Sequence, residues 1–324
     1  MNKIRVGIVG YGNVGRGVEK VITNTSDMEL VGIFTRRDPN SIVLSDSKIP
    51  VYLVDEAKDM TDKIDVMLLC GGSATDLAVQ APEFASTFNI VCSYDNHAKI
   101  PDYLASVNAA ATSTSAVISA GWDPGLFSMM RLMSESILPK GETYTFWGPG
   151  LSQGHSDALR RIDGVKNAVQ YTIPIDKALD AVRSGKRPSF ETREKHLRQC
   201  FVVLEPHADK ADIENKIKTM PNYFADYDTV VNFIDEDELK LNHSQMPHGG
   251  TVIHSGNTKE NEHVIEFSLK LESNPEFTAS VMVACARACY RLYEKGDFGA
   301  KTVFDLPLAY LSPKSHADIV KELL

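Results

Sequence analysis

Residues 4–15 read IRVGIVGYGNVG, and the fold follows from them. Ile4–Val9 is a continuous β-like apolar run, and Val14–Ile22 repeats with the period of a helix. Gly10-Tyr11-Gly12-Asn13-Val14-Gly15 is therefore a GxGxxG turn set between a strand and a helix. In that context the first glycine makes the tight turn and the second lets backbone approach a pyrophosphate. The third lets the helix pack closely on the strand, with the helix N-terminus facing the phosphates. Outward from this turn the alternation continues. Glu29–Phe34, a weaker Val51–Val54, Asp65–Cys70, Ile90–Ser93 and Ala116–Ala120 read as further strands, with helices at Asp76–Phe84 and Pro101–Ala111. Buried strands separated by helices predict an α/β domain with a doubly wound parallel sheet in the order 3-2-1-4-5-6.

This Rossmann-type dinucleotide-binding domain is expected to span residues 1–121, because the pattern changes after Gly121. Phe127–Ile137 reads as a helix, Thr143–Gly154 as a short strand and a Gly/Ser loop, and His155–Ile162 as a helix. Val169–Ile173, Cys200–Leu204, Thr229–Ile234, Thr251–Ile253 and His263–Leu271 read as strands. Long β runs with few helices between them predict an α+β substrate domain over residues 122–299, built on a largely antiparallel sheet. A helix from Pro275 to Lys295 falls in that span. By analogy with two-domain dehydrogenases, residues 300–324 are expected to pack back on the first domain.

Length and charge agree with this division. A chain of 324 residues exceeds one comfortable hydrophobic core. Its net charge of −9 argues against nucleic acid or an anionic membrane as the main partner, though a local pocket can still be basic. No apolar leader and no run of roughly 20 apolar residues is visible. The five cysteines (Cys70, Cys92, Cys200, Cys285, Cys289) are scattered without a CxxC pair, as expected of free thiols in a reducing cytoplasm. His243, His248 and His254 match no zinc spacing, so no metal is expected. Ser128 and Ser156 lack the elbow or paired base of a nucleophile.

An NAD ribose acceptor should stand about 20 residues beyond the glycines. That place reads Thr35-Arg36-Arg37, a hydroxyl and two guanidiniums that suit the 2′-phosphate of NADP. The rival is that Asp38 serves as a ribose acid. After the fourth strand, Cys70-Gly71-Gly72-Ser73-Ala74-Thr75-Asp76 offers close backbone approach, and Ser73 with Asp76 has the spacing of a capping box. Ser93, Tyr94 and Asp95 end the fifth strand. Ala120, Gly121, Trp122, Asp123 and Pro124 follow the sixth, at the carboxyl edge where ligands sit in such sheets. For Asp123 the alternative is a helix N-cap before Pro124.

Trp122-Asp123-Pro124-Gly125, FWGPGLSQGHSDALRRIDGV from Phe146, RQCFVV from Arg198, MPHGG from Met246 and NPEFTAS from Asn274 carry a resemblance over essentially the full length. The chain resembles the meso-diaminopimelate dehydrogenases. The resemblance implies an NADP-dependent homodimer that oxidatively deaminates the D-centre of meso-2,6-diaminopimelate to L-2-amino-6-oxopimelate and ammonia, reversibly, in lysine and cell-wall precursor synthesis. It also implies that the second domain carries dimerisation. It places Asp95 and Asp123 near the reacting amine and nicotinamide as candidate catalytic groups, with Trp147 nearby. Gln153 and Gly154 would hold the D-carboxylate, Thr172, Arg198 and His248 the distal L-carboxylate, and Asn274 the distal amine. Taken alone, Arg198 reads as a surface arginine, His248 as a loop residue and Asn274-Pro275 as a helix start. The chemistry agrees in kind: hydride leaves a carbon beside nitrogen only when that nitrogen is neutral, so a carboxylate or water must take its proton. The alternatives are a dihydrodipicolinate reductase-like or opine-type oxidoreductase, or a non-catalytic NADPH sensor.

Overall fold

β1 (Ile4–Val9), β2 (Met28–Thr35), β3 (Val51–Leu53), β4 (Val66–Leu69), β5 (Ile90–Cys92) and β6 (Ser115–Val117) form a parallel sheet. It is crossed by α1 (Asn13–Thr23), α2 (Leu77–Ala85) and α3 (Ile100–Ala110). In this computed structural model, which describes residues 3–45, 48–73 and 75–324, the strands stand in the order β3-β2-β1-β4-β5-β6. β1 pairs with β2 on one side and β4 on the other. That reversal of direction puts the GxGxxG turn at the switch point, where a crevice opens beyond the strand ends. β6 is shorter than expected because Ser119 takes φ +54°, a left-handed conformation that leaves the sheet.

Residues up to Met129, together with Pro275–Leu324, form one unit, and Met130–Asn274 form the other. α4 (Leu126–Ile137) leads into the second unit, which holds two sheets where one was expected. β7 (Gly141–Trp147) belongs to the three-stranded sheet; β8 (Gly150–Leu151), after a two-residue break, starts the four-stranded one. Then follow α5 (Gln153–Arg160), β9 (Val165–Pro174), α6 (Asp176–Arg183), α7 (Thr192–Lys195), β10 (His196–Leu204), α8 (Lys210–Lys218), β11 (Asp228–Phe233), α9 (Glu236–His243), β12 (His248–Thr258) and β13 (Asn261–Leu271). The four-stranded sheet runs β11-β10-β9-β8 and the three-stranded one β13-β12-β7. β10 and β11 are parallel, so their connection must cross over, and α8 supplies the crossover that the strand-rich pattern did not suggest. Each sheet has its own helix cover. Ile213 and Ile217 of α8 pack with Cys200, Val202 and Phe224, while Leu179 and Val182 of α6 pack with Phe146 and Ile253.

α10 (Asn274–Tyr293) corrects the domain boundary drawn from sequence. From Pro275 onward it belongs to the first unit, where Ala279, Met282, Val283, Ala286 and Cys289 pack in one cluster with Val6, Ile8 and Val18. Its small residues serve this core. A Cβ on Gly17 of α1 would lie 3.0 Å from Ala279 Cβ and 3.1 Å from the Pro275 carbonyl oxygen, so the two helices touch through a residue without a side chain. The buried Arg287 guanidinium bonds Asp27 (Nη2–Oδ1 2.8 Å) and the Leu311 carbonyl (2.8 Å), tying the last residues to this unit. Gly299–Lys301 adds a seventh parallel strand beside β6. Replacing Gly17 with valine should lower unfolding free energy by about 1–3 kcal/mol through overpacking. Urea denaturation measures it, and a change below about 0.5 kcal/mol, the scatter of ordinary surface substitutions, would contradict this helix contact.

Candidate active site residues

In the first unit Gly10 takes φ +87° after β1, and its N–H donates to the Phe34 carbonyl at 2.8 Å. A Cβ on Gly15 would lie 2.3 Å from the Gly10 carbonyl oxygen, which is the close helix–strand approach that the third glycine permits. Around Gly12, by contrast, a Cβ would meet nothing within 4 Å. The open side of the turn therefore has room for a pyrophosphate, and a cavity of about 300 Å³ opens there, lined by Gly10, Gly12, Thr35, Arg36, Arg37 and Gly72 among others. Arg36 Nη2 bonds Asp76 Oδ1 at 2.8 Å, and Arg37 Nη2 donates to the Tyr11 carbonyl at 2.8 Å. Asp38 caps the short turn that follows, accepting from Asn40 N at 3.0 Å.

The capping box expected of Ser73 and Asp76 does not form. Burial opposes charge on Asp76, yet the Gly72 N–H (3.0 Å) and the Arg36 guanidinium hold its carboxyl below the usual range. With Asp76 committed to these partners, Ser73 Oγ accepts the Asp95 N–H at 3.2 Å and joins the loops after β4 and β5. Ala120 N donates to the Cys92 carbonyl at 2.9 Å, aligning the next loop beside them. There the Gly121 and Leu126 amides close a tight turn on the Pro124 and Gly121 carbonyls, both at 3.0 Å. A Cβ on Gly125 (φ +133°) would lie 1.8 Å from the Gly121 oxygen. α4 starts only at Leu126, so Asp123 is not its N-cap. Tyr94 is buried and stacks on Tyr103 at 3.9 Å, and Asp95 is exposed.

In the second unit Arg198 and Thr172 stand opposite each other on β10 and β9. Arg198 is 6% exposed. Its Nη1 donates to Thr172 Oγ1, its guanidinium lies 3.8 Å from the Tyr227 ring centroid, and its buried Nε has no hydrogen-bond partner among the described residues. Among the described residues no carboxylate pairs with it. Burial pulls its pKa down, with Tyr227 opposing. Gly150 pairs with Thr172 and would put a Cβ 2.5 Å from His248 Cα, so the tight chain approach sets His248 beside the pair. Trp147 N donates to His196 Nε2 at 2.9 Å, and the two rings stack at 5.5 Å. Gln153 and Gly154 lie in the first turn of α5, not before it, with Ser152 as N-cap; a Cβ on Gly154 meets nothing within 4 Å. Gln153 Nε2 contacts Met246 Sδ at 2.9 Å, and Asn274 N donates to the Met246 carbonyl at 3.0 Å. Among the described residues no group of three or more His, Cys, Asp or Glu side chains could hold a metal. The five cysteines are free thiols.

Residues 121–273 match the family model described as the diaminopimelic acid dehydrogenase C-terminal domain. The chain is 63% identical over its whole length, and that of the relative, to a meso-diaminopimelate D-dehydrogenase of Ureibacillus thermosphaericus. The chain belongs to the meso-diaminopimelate D-dehydrogenase family. Its enzyme of Corynebacterium glutamicum is 48% identical, and the crystal structure in complex with DAP superposes with a TM-score of 0.92 over the full length of both chains. An engineered D-amino acid dehydrogenase bound to NADP+ is 46% identical, with a TM-score of 0.87 and full coverage of both.

Four residues that the sequence reading did not single out touch or face these side chains: His155, His196, Tyr227 and Met246. His196 had a signal: in His196-Leu197-Arg198-Gln199-Cys200 the first, third and fifth residues alternate inward on β10. Tyr227 had none, since it lies in an irregular stretch before β11. Burial, then the charges of Lys195 and Arg198, push His196 down to about 3; burial and Arg198 push His155 to about 4. Both rings are neutral in the folded protein at pH 6.5, so acidification protonates the unfolded chain first. The stability they contribute is whole above the unfolded value of 6.5 and is lost as pH falls toward the folded values. Replacing His196 with glutamine should therefore reduce the loss of unfolding free energy between pH 7 and pH 5 by about 2 kcal/mol. Urea titrations at the two pH values measure this, and an unchanged difference would contradict a neutral His196.

Proposed function

We infer that this chain catalyses the reversible, NADP-dependent oxidative deamination of the D-centre of meso-2,6-diaminopimelate to L-2-amino-6-oxopimelate and ammonia. Beyond family membership, the observation that carries the residue assignment is the buried Arg198 guanidinium. It rests on Thr172 and Tyr227 with no carboxylate beside it among the described residues. A cation held this way is matched by an anionic group arriving with a ligand, here the L-carboxylate that does not react. A mutant of the Clostridium tetani enzyme, 55% identical and crystallised with DAP, carries six substitutions at Gln, Thr, Arg, Pro, His and Asn residues. Gln153, Thr172, Arg198, Pro247 and His248 repeat the first five types at the same intervals, and Asn274 follows one residue closer. Pro247 thus joins the candidates.

NADP, when bound, takes the hydride. Gly10, Gly12 and the first amides of α1 would hold its pyrophosphate, and Thr35, Arg36 and Arg37 its 2′-phosphate. The main chain of Cys70–Gly72, Ser73, Thr75, Ser93, Tyr94 and the Ala120–Pro124 turn would line its nicotinamide side. Asp95 or Asp123 would accept the proton of the reacting ammonium, freeing the lone pair that expels hydride, and water then attacks the iminium. The Gln153 side chain and the Gly154 amide in the first turn of α5 suit the D-carboxylate, Trp147 lies beside it, and Asn274 suits the distal amine. We further propose that the enzyme works as a homodimer in the cytoplasm. Five free thiols fit a reducing compartment, and no helix among the described residues is long and apolar enough to cross a membrane.

NADPH formation with meso-diaminopimelate, followed by absorbance and compared with other amino acids, tests the activity; equal rates on all of them would contradict the substrate. Asp123→Asn, which keeps shape and removes charge, should lower kcat far more than it raises the KM for NADP, and normal turnover at saturation would remove Asp123 from the chemistry. Arg198→Met keeps the apolar stem and deletes the fork. It should raise the KM for meso-diaminopimelate strongly, lower kcat less, and shift kcat/KM toward D-amino acids without a distal carboxylate. A substrate ratio that stays put would mean that Arg198 does not meet that carboxylate.

A further inference from the structure

Tyr11 stands in the variable position between the first two glycines, where the cofactor turn demands nothing of a side chain. Yet its ring is buried, and its hydroxyl donates to the carboxylate of Glu19, a fully buried acid on α1. Burial and Glu19 raise the hydroxyl to about 12, so it remains a donor at neutral pH. Arg16 lies over the other part of the ring, 5.7 Å from its centroid. The main chain of the same residue carries the second half of the arrangement: its carbonyl accepts from Arg37 Nη2 at 2.8 Å, while Arg37 N donates to Thr35 Oγ1 at 3.1 Å. A buried acid on a helix is costly and is found hydrogen-bonded. Among its contacts Glu19 fixes the Tyr11 side chain, whose backbone in turn orients an arginine.

We propose that Glu19 and Tyr11 are positioning residues for cofactor discrimination: the buried Tyr11–Glu19 hydrogen bond fixes the Tyr11 carbonyl, and that carbonyl aims Arg37 at the 2′-phosphate. Neither side chain touches the phosphate. Arg36 is oriented separately, by Asp76, so the two guanidiniums have independent supports, a carboxylate for one and a peptide oxygen for the other. A carbonyl suits Arg37 because it orients the guanidinium without neutralising it, leaving its full charge for the ligand. Flexible arginines lose side-chain freedom on binding phosphate, and fixing one beforehand removes part of that cost. NAD lacks the 2′-phosphate and gains nothing from it.

The inference rests on Arg37 meeting the 2′-phosphate, so the test carries its own control. Equilibrium dissociation constants of NADP and NAD are measured for the wild type, Tyr11→Phe, Glu19→Gln, Arg37→Ala and the Tyr11→Phe/Arg37→Ala double variant. Tyr11→Phe, which keeps the ring and loses only the hydroxyl, should weaken NADP about fivefold to tenfold, roughly the scale of one hydrogen bond, and leave NAD unchanged. Glu19→Gln still accepts the hydroxyl proton and should keep most of the discrimination. In the Arg37→Ala background, Tyr11→Phe should have no further effect on NADP, because the two act through one contact. If Tyr11→Phe weakens NADP equally with and without Arg37, or weakens NAD as much as NADP, the side chain only stabilises the turn and the proposal falls. If Arg37→Ala itself leaves NADP binding intact, the 2′-phosphate lies elsewhere, and the placement of the phosphate fails together with the proposal.

Discussion

A guanidinium withdrawn from water without a carboxylate to meet it is among the least favourable groups a fold can bury, and the second unit is arranged around one. Arg198 sits on β10 with Thr172 directly across the ladder and the Tyr227 ring against its face. Those contacts satisfy part of its donor fork and leave its charge uncompensated. The consequence reaches its neighbours. His155 is held neutral by burial first and by this charge second, and His196 by burial, then Lys195, then this charge, so the imidazole of His196 accepts the Trp147 N–H and does not add a further cation. Close approach at Gly150 fixes His248 near the same pair. In the proposed function this charge is matched by an anion from outside the chain.

The first unit solves a different problem with different means. Its GxGxxG turn is built on glycines that allow close backbone approach, and its two arginines are each held by a neighbour, Asp76 for Arg36 and the Tyr11 carbonyl for Arg37. Hydrogen bonds between successive loops, Ser73 to Asp95 and Ala120 to Cys92, keep the strand ends in register where the nicotinamide would lie. The long helix α10 packs against this sheet from Ala279 to Cys289. In the proposed function, rigidity at the cofactor and charge at the substrate would be supplied by separate parts of the chain.

What could be read from sequence follows the range of the interactions. The GxGxxG turn and its flanking strand and helix are local, so residues 4–23 state their own structure, and the strand order follows from the alternation after them. Thr35-Arg36-Arg37 stood out by position and charge, and the structure lines one cavity with them and the glycine turn. The expectation failed where partners are distant. Asp76 had the spacing to cap its helix with Ser73, but Arg36, 40 residues away, takes its carboxylate. The helix from Pro275 was placed with the second domain, and only Gly17 lying against Ala279 shows that it packs in the first unit. Arg198 reads as a surface arginine because Tyr227, the ring that accompanies it inward, comes from an irregular segment without a motif. Even so, the alternation of His196, Arg198 and Cys200 on one strand face held the sign of a polar interior.

The central claim is that the second unit is built to receive a carboxylate at Arg198. It is tested most directly by the thermal unfolding of the NADP-loaded protein with meso-diaminopimelate and, separately, with D-lysine, which differs only in lacking the distal carboxylate. A ligand at 100 times its dissociation constant stabilises a fold by about 2.7 kcal/mol. Meso-diaminopimelate is expected to raise the Tm by several degrees and D-lysine at the same concentration to leave it nearly unchanged. Equal shifts from the two ligands would contradict the account.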